Sequence, residues 1–199
     1  MRIIAVGGAG TIGTAVVKRL SARHDVIVAG RTSGDVRVDI ASRDSVARMY
    51  DEVGEFDAVV STAGEAHFGA LGTASEDELA VGVHSKLLGQ LRLVLLGRSR
   101  ISRGGAFTLI SGYLFDDPIP DAVSFAVANG GVEGFVRSAA LSMDRGVRIN
   151  AVSPGLAEDS AAEFGALNPG RAPVPMSRIA AAFERSVEGW RTGEVIRAW

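Results

Sequence analysis

Apolar residues recur along this chain in two alternating rhythms. Short runs rich in β-branched residues, at 2–6, 25–29, 36–39, 57–61, 105–110, 147–152 and 194–198, read as strands. Between them lie apolar positions of helical period. Ile12, Val16, Val17 and Leu20 share one helical face. Ser42 stands where an N-cap would precede a helix carrying Val46, Met49 and Val53. Residues 75–98 and 122–143 are helical in composition, and 177–187 turn Ile179, Ala182, Phe183 and Val187 inward. Strands alternating with helices predict a parallel sheet covered on both faces. Neither a repeat nor a low-complexity linker interrupts the pattern, so a single domain over residues 1–199 is expected. Residues 157–175 break the rhythm with Gly165, Pro169, Gly170, Pro173 and Pro175. They read as a surface excursion, either a lid over a site or a loop with no role.

Composition narrows the chemistry. Hydrophobic residues make up 47% and charged residues 22% of 199, with a net charge of -2. That balance suits a globular domain and offers nothing to a nucleic acid or an anionic membrane. With no cysteine, disulfides, thiolate metal sites and cysteine nucleophiles are excluded. His24, His67 and His84 lack metal-ligand spacing. The apolar run before Gly7-Gly8 is too short for a signal peptide or a membrane span, so a cytoplasmic location is the expectation.

Gly7, Gly10 and Gly13 recur at three-residue spacing between the first strand and the first helix. Such a turn lets backbone approach a pyrophosphate, and the helix N-terminus offers free amides and the positive end of its dipole. Gly7, Gly10, Thr11, Ile12 and Gly13 are therefore expected to hold a dinucleotide. After the second strand comes Gly30-Arg31-Thr32-Ser33. Arg31 is suited to a ribose 2′-phosphate, with Thr32 and Ser33 donating hydroxyls, which favours NADP. A solvated Arg31, or NAD read by Asp35, stands as the alternative.

With these features the chain resembles the short-chain dehydrogenase/reductase family over nearly its whole length. The likeness is carried by the glycine turn, Val38-Asp39-Ile40, Ser61-Thr62-Ala63-Gly64 and Arg148-Ile149-Asn150-Ala151-Val152-Ser153-Pro154-Gly155. The resemblance implies a Rossmann-type, doubly wound α/β fold with seven parallel strands in the order 3-2-1-4-5-6-7. It also implies that Asp39 and Ile40 meet adenine, that Ser61, Thr62, Ala63 and Gly64 line the cofactor, and that Pro154 and Gly155 flank the nicotinamide. Homodimers or homotetramers built on the two long helices are implied too, in keeping with Leu87, Leu88, Leu91, Leu93, Val94, Leu95 and Leu96 falling on more than one helix face.

The family's catalytic set is where the likeness fails. Gly130-Gly131-Val132-Glu133-Gly134-Phe135 fixes a register that puts Phe125 at its tyrosine and Asn129 at its lysine. Its serine falls on Gly112, one residue from Ser111, and its helper asparagine on Lys86. The resemblance thus points to a divergent subgroup without the usual Ser-Tyr-Lys set. Phenylalanine carries no proton to donate. Lys86, Ser111 and Tyr113 are the candidates for replacement chemistry. Against each stands a plain alternative: a snorkelling lysine, a strand-end hydroxyl, and a tyrosine packed under the Asp116-Asp117-Pro118 loop. His84, two positions from Lys86, faces elsewhere. Three functions stay open: an NADP-dependent oxidoreductase with relocated acid–base residues acting on a small carbonyl or hydroxyl compound, an NADP(H) sensor without turnover, and a non-redox enzyme.

Overall fold

The computed structural model describes all residues, 1–199. Its strands are β1 (Arg2–Val6), β2 (Asp25–Gly30), β3 (Val36–Arg37), β4 (Phe56–Ser61), β5 (Ile101–Ile110), β6 (Arg148–Pro154) and β7 (Val195–Ala198). They form one parallel sheet in the order β3-β2-β1-β4-β5-β6-β7. The helices are α1 (Thr11–Leu20), α2 (Arg43–Val53), α3 (Glu76–Val81), α4 (Leu88–Gly97), α5 (Val123–Ala139), α6 (Ala161–Phe164) and α7 (Met176–Glu188).

Side chains of successive strand residues point to opposite faces, and both faces are apolar. Ile4, Val59, Phe107, Leu109 and Ile149 enter one core with α2, α4 and α5, around Met49, Tyr50, Leu93, Val132 and Val136. Ile3, Ala58, Val60, Ala106 and Ile110 enter the other, beneath Val16 and Leu20 of α1 and Ile179, Phe183 and Val187 of α7. Arg19 on α1 and Arg23 in the turn that follows it clasp Glu184 of α7, and His24 Nε2 lies 2.8 Å from Glu188. The two helices that cover the second face are thereby pinned to each other.

Several boundaries differ from the sequence reading, each for a local reason. Strand β3 stops at Arg37 rather than 39, because Asp39 Oδ1 accepts from Ala41 N–H and the Asp39 N–H goes to Ser45 Oγ. That local turn competes with the sheet ladder. Strand β5 starts at Ile101, not 105, since its pairing with β4 shifts register between Phe56 and Ala58 where Gly104 takes φ +76°. Strand β6 runs on through Pro154. The Ser42 cap forms as expected, its hydroxyl accepting from Ser45 N–H at 3.2 Å.

The stretch 75–98 is not one α-helix. A capping box at Ser75 and Glu78 opens α3. A π-helical segment, Gly82–Leu87, then joins α3 to α4. Its extra residue per turn re-aims the following side chains, a distortion that is common at functional sites. The helix lies unusually close to its neighbours here. A Cβ on Gly82 would sit 2.6 Å from the Ser124 carbonyl, and one on Gly89 2.8 Å from the Ile40 side chain. Residues 157–175 form short helical turns around α6 and are anchored at both ends: Ala157 bridges Val174, and Glu158 accepts from the first N–H of α7, that of Met176, at 2.7 Å.

Candidate functional site

Strand order reverses at β1, which has β2 on one side and β4 on the other. Beyond the C-terminal ends of strands at such a switch point is where open α/β sheets bind ligands. Two adjoining depressions occupy that position.

The first, about 170 Å³, is walled by Gly7, Gly30, Arg31, Asp39, Ile40 and the 63–65 turn. Its floor is built to let backbone come close. Gly7 has φ +78°, and a Cβ there would come 2.9 Å from Ala63 N. A Cβ on Gly13 would overlap the Gly7 carbonyl oxygen and come 2.8 Å from Gly8 Cα. Gly10 is different, its nearest neighbour being Gly7 O at 3.4 Å. The turn ends at the N-terminus of α1, where no side chain caps the free amides. An anion of pyrophosphate type fits this cradle. Thr11 is exposed at the start of α1, and Ile12 lines the second depression.

Arg31 lies at the rim, paired with Glu65 at 2.6 Å, and the carboxylate raises its pKa further. Asp35 is engaged elsewhere, its Oδ2 accepting from Val28 N–H at 2.9 Å and closing the β2–β3 turn. It is not the carboxylate beside the pocket. Thr32 and Ser33 are exposed and lie outside the lining. Thr62 is tied to the floor, its hydroxyl donating to Gly7 O at 3.0 Å, while Ser61 is buried with its hydroxyl unpartnered. Gly64 is pressed against the main chain of Lys86, 2.7 Å from a Cβ position to Cα, so the 63–64 turn and the π-helical segment meet directly.

The second depression, about 290 Å³, opens beside the ends of β5 and β6 and is mostly apolar, with Ile12, Ile110, Ile119, Phe125 and Leu156 among its walls. Pro154 and Gly155 form its side nearest β6. Loop 157–175 covers it: Phe164 meets Phe68 edge-on at 6.5 Å, and both residues line the cleft.

Lys86 reaches this cleft from the π-helical segment. It is only 8% exposed, and its Nζ donates to the Ser111 carbonyl at 2.9 Å. Burial lowers its pKa from 10.5 to about 8. Asn129, more deeply buried still, donates its Nδ2 to the next carbonyl, that of Gly112, at 3.2 Å, and leaves Oδ1 without a partner. Two side-chain nitrogens are thus held on consecutive carbonyls beyond β5. Gly112 permits this closeness, since a Cβ there would stand 2.9 Å from Asn129 Nδ2.

The other two hydroxyls singled out from sequence are already bonded. Ser111 Oγ donates to the fully buried Glu133 at 3.1 Å, so Ser111 offers the cleft its carbonyl instead. Tyr113 donates to Asn168 Oδ1 at 2.7 Å, under the Arg171 guanidinium, 4.4 Å from the ring centroid. Burial raises its pKa. Arg171 also pairs with Asp117. Tyr113 therefore moors loop 157–175 to the cleft. His84 is exposed.

Sequence reading missed several members of the site. Glu65 follows the Ser61-Thr62-Ala63-Gly64 turn directly, and that adjacency was the available signal. Gln90 is fully buried and pairs with both backbone groups of Ile110, at 2.8 and 2.9 Å, locking α4 to the end of β5. It lies one helical turn beyond Lys86. Glu133 and Asn168 gave no local signal. In the most specific motif, Arg148 and Asn150 have structural partners: Arg148 caps the last carbonyls of α7, and Asn150 ties β6 to residues 186–194.

Comparisons with known proteins fit this geometry. The family model described as enoyl-(acyl carrier protein) reductase matches residues 4–183. Versicolorin reductase 1 of Dothistroma septosporum is 28% identical over 136 residues, 65% of this chain and 52% of that protein. Cis-4-hydroxycyclohexanecarboxylate dehydrogenase of Sinomonas cyclohexanicum is 28% identical over 184 residues, 78% and 72% of the two. The chain thus spans about half the length of the first of these relatives. Among solved structures, protein lin1944 from Listeria innocua has a TM-score of 0.98 at 46% identity, covering all of both chains. A small-chain dehydrogenase in complex with NADPH has a TM-score of 0.86 at 27% identity, covering 99% of this chain and 95% of that one. Family match, sheet order and the glycine cradle agree, and the chain belongs to the short-chain dehydrogenase/reductase family.

Proposed function

We propose that this protein is an NADP(H)-dependent oxidoreductase acting on a small, largely apolar carbonyl or hydroxyl compound, with Lys86 in the proton-transferring role. One observation carries the reading: a buried ammonium in an apolar cleft, beside a cradle shaped for a dinucleotide. NADPH in the solved neighbour and the reductase and dehydrogenase names of the relatives support it.

The dinucleotide, when bound, supplies or accepts a hydride. The Gly7–Gly13 turn and the N-terminus of α1 hold pyrophosphate, while Asp39, Ile40, Ala63 and Gly64 wall the adenosine. Arg31 holds the 2′-phosphate with its planar fork. Pro154, Gly155 and Ile12 border the reacting end. Ile119, Phe125 and Leu156 exclude water there, which strengthens any charge interaction inside. Lys86 donates a proton to the substrate oxygen during reduction and takes one back during oxidation. A pKa of about 8 suits this role better than an ordinary lysine's, because acid–base efficiency is greatest near the working pH. The Ser111 carbonyl aims the ammonium. In this reading the usual Ser-Tyr-Lys set is absent: Gly112, Phe125 and Asn129 stand in its register, and Ser111 and Tyr113 serve structure. We further place the chain in a homodimer or homotetramer.

A second reading, an NADP(H) sensor without turnover, draws on the commitment of Ser111 and Tyr113 to Glu133 and Asn168. Fluorescence titration with NADPH and NADH, followed by absorbance at 340 nm with cyclic ketones, separates the readings. Tighter NADPH binding with consumption is expected. Binding without consumption favours the sensor, and no binding favours a non-redox enzyme.

A further inference from the structure

The nucleotide depression has a feature that the glycine cradle and Arg31 do not explain. Arg31 comes from the end of β2, whereas Glu65 comes from the turn after β4, 34 residues away, and the two meet at 2.6 Å over the rim. The backbone of Glu65 is held from behind: its N–H donates to Ser85 Oγ at 3.0 Å, on the π-helical segment. Both side chains are more than half exposed, so neither is committed by packing.

We propose that Glu65 is a specificity-determining residue, a built-in anion that holds Arg31 across the pocket until a 2′-phosphate displaces it. This rests on the cofactor reading above. A ribose 2′-phosphate carries close to two negative charges at neutral pH, and it competes with Glu65 for the same guanidinium. While the pair stays closed, Arg31 is neutralised and the rim presents a carboxylate, the group that receives a ribose 2′-hydroxyl. Glu65 therefore weakens NADP(H) binding and supports NAD(H) binding at one site. Exposed ion pairs have small net energies, so the exchange costs little and the pair opens readily.

The test uses the adenosine halves of the two cofactors, which read this pocket alone. Adenosine 2′,5′-bisphosphate and 5′-AMP are titrated by calorimetry into the wild type, Glu65→Gln and Arg31→Ala. Glu65→Gln is expected to tighten the bisphosphate roughly three- to ten-fold, the scale of one exposed pair plus a removed repulsion, and to weaken 5′-AMP. Arg31→Ala should weaken the bisphosphate selectively. If Arg31→Ala weakens it but Glu65→Gln changes nothing, or tightens both ligands equally, the role given to Glu65 is overturned and the cofactor reading survives. A wild type that binds the bisphosphate no better than 5′-AMP, with Arg31→Ala neutral, overturns the NADP assignment and this inference with it.

Discussion

Lys86 carries its charge at neutral pH in a place that resists charge, and the consequence is measurable. Its pKa of about 8 in the fold, against 10.5 in an exposed lysine, means the unfolded chain holds that proton more tightly. Below about pH 8 both states are protonated and the native state bears the full cost, roughly 3 kcal/mol at about 1.4 kcal/mol per pH unit. Between about 8 and 10.5 the native state has released the proton and the unfolded chain has not, so stability rises with pH. Lys86→Met keeps the length of the side chain and removes the charge. It is expected to be more stable than wild type at pH 7, less whatever the orphaned Ser111 carbonyl costs, about 1–3 kcal/mol. By pH 10 most of the roughly 3 kcal/mol difference in the gap should have disappeared. Urea denaturation of both proteins at the two pH values checks this, and a gap that does not move with pH contradicts the assignment of a buried charge. Such a stability cost is what the proposed proton-transferring role of Lys86 would impose. Lys86 itself was visible in the sequence, because a family register pointed to it. Its burial and its anchor were not visible, because Ser111 lies 25 positions away.

At the scale of elements, the glycine turn was legible because its cause is local. Three glycines between an apolar strand and an amphipathic helix announce a close approach of backbone, and the structure separates their contributions. Gly13 is the steric keystone, with Gly7 O and Gly8 Cα inside the space a Cβ needs, whereas Gly10 has extended backbone and room to spare. Gly13→Ala is expected to cost about 2–4 kcal/mol, since overpacking against backbone has no flexible side chain to yield. Gly10→Ala should cost less than about 1 kcal/mol. Thermal unfolding of the two variants decides it, and equal costs would mean the turn relaxes where the geometry says it cannot. The helix 75–98 was legible in extent but not in kind. Its composition is apolar along its length, and nothing local marks the π-helical segment. That distortion depends on contacts across the fold, from Gly82 to Ser124 and from Gly64 to Lys86. The early start of β5 likewise depends on its register against β4 rather than on its own residues.

At the scale of the whole molecule, the alternation of strands and helices announced the sheet, and the two cores follow from strand pleat alone. The segment Glu76–Gly97 is long and apolar enough to cross a membrane by length and composition. In the fold, its Leu93 and Val94 are buried against the sheet and α2. What stays uncovered includes Leu95 at 51% and Val127 on α5 at 52% exposure. Apolar residues left on both long helices are the basis for the proposed homodimer or homotetramer. Light scattering at micromolar concentration should therefore give a mass at least twice 20.7 kDa, and a monomer would count against the assembly. The proposed chemistry stands or falls with the buried lysine as its acid and base. The most direct measurement is single-turnover oxidation of bound NADPH by a cyclic ketone, followed across pH 6–10 in wild type and Lys86→Met. Wild type should transfer hydride, with a rate that falls about tenfold per unit above pH 8 as the ammonium is lost. Lys86→Met should be slower by ~10²–10⁴ at pH 7, with NADPH affinity changed no more than a few-fold. A Lys86→Met protein as fast as wild type, or a wild-type rate indifferent to pH through 8, would contradict that role for Lys86.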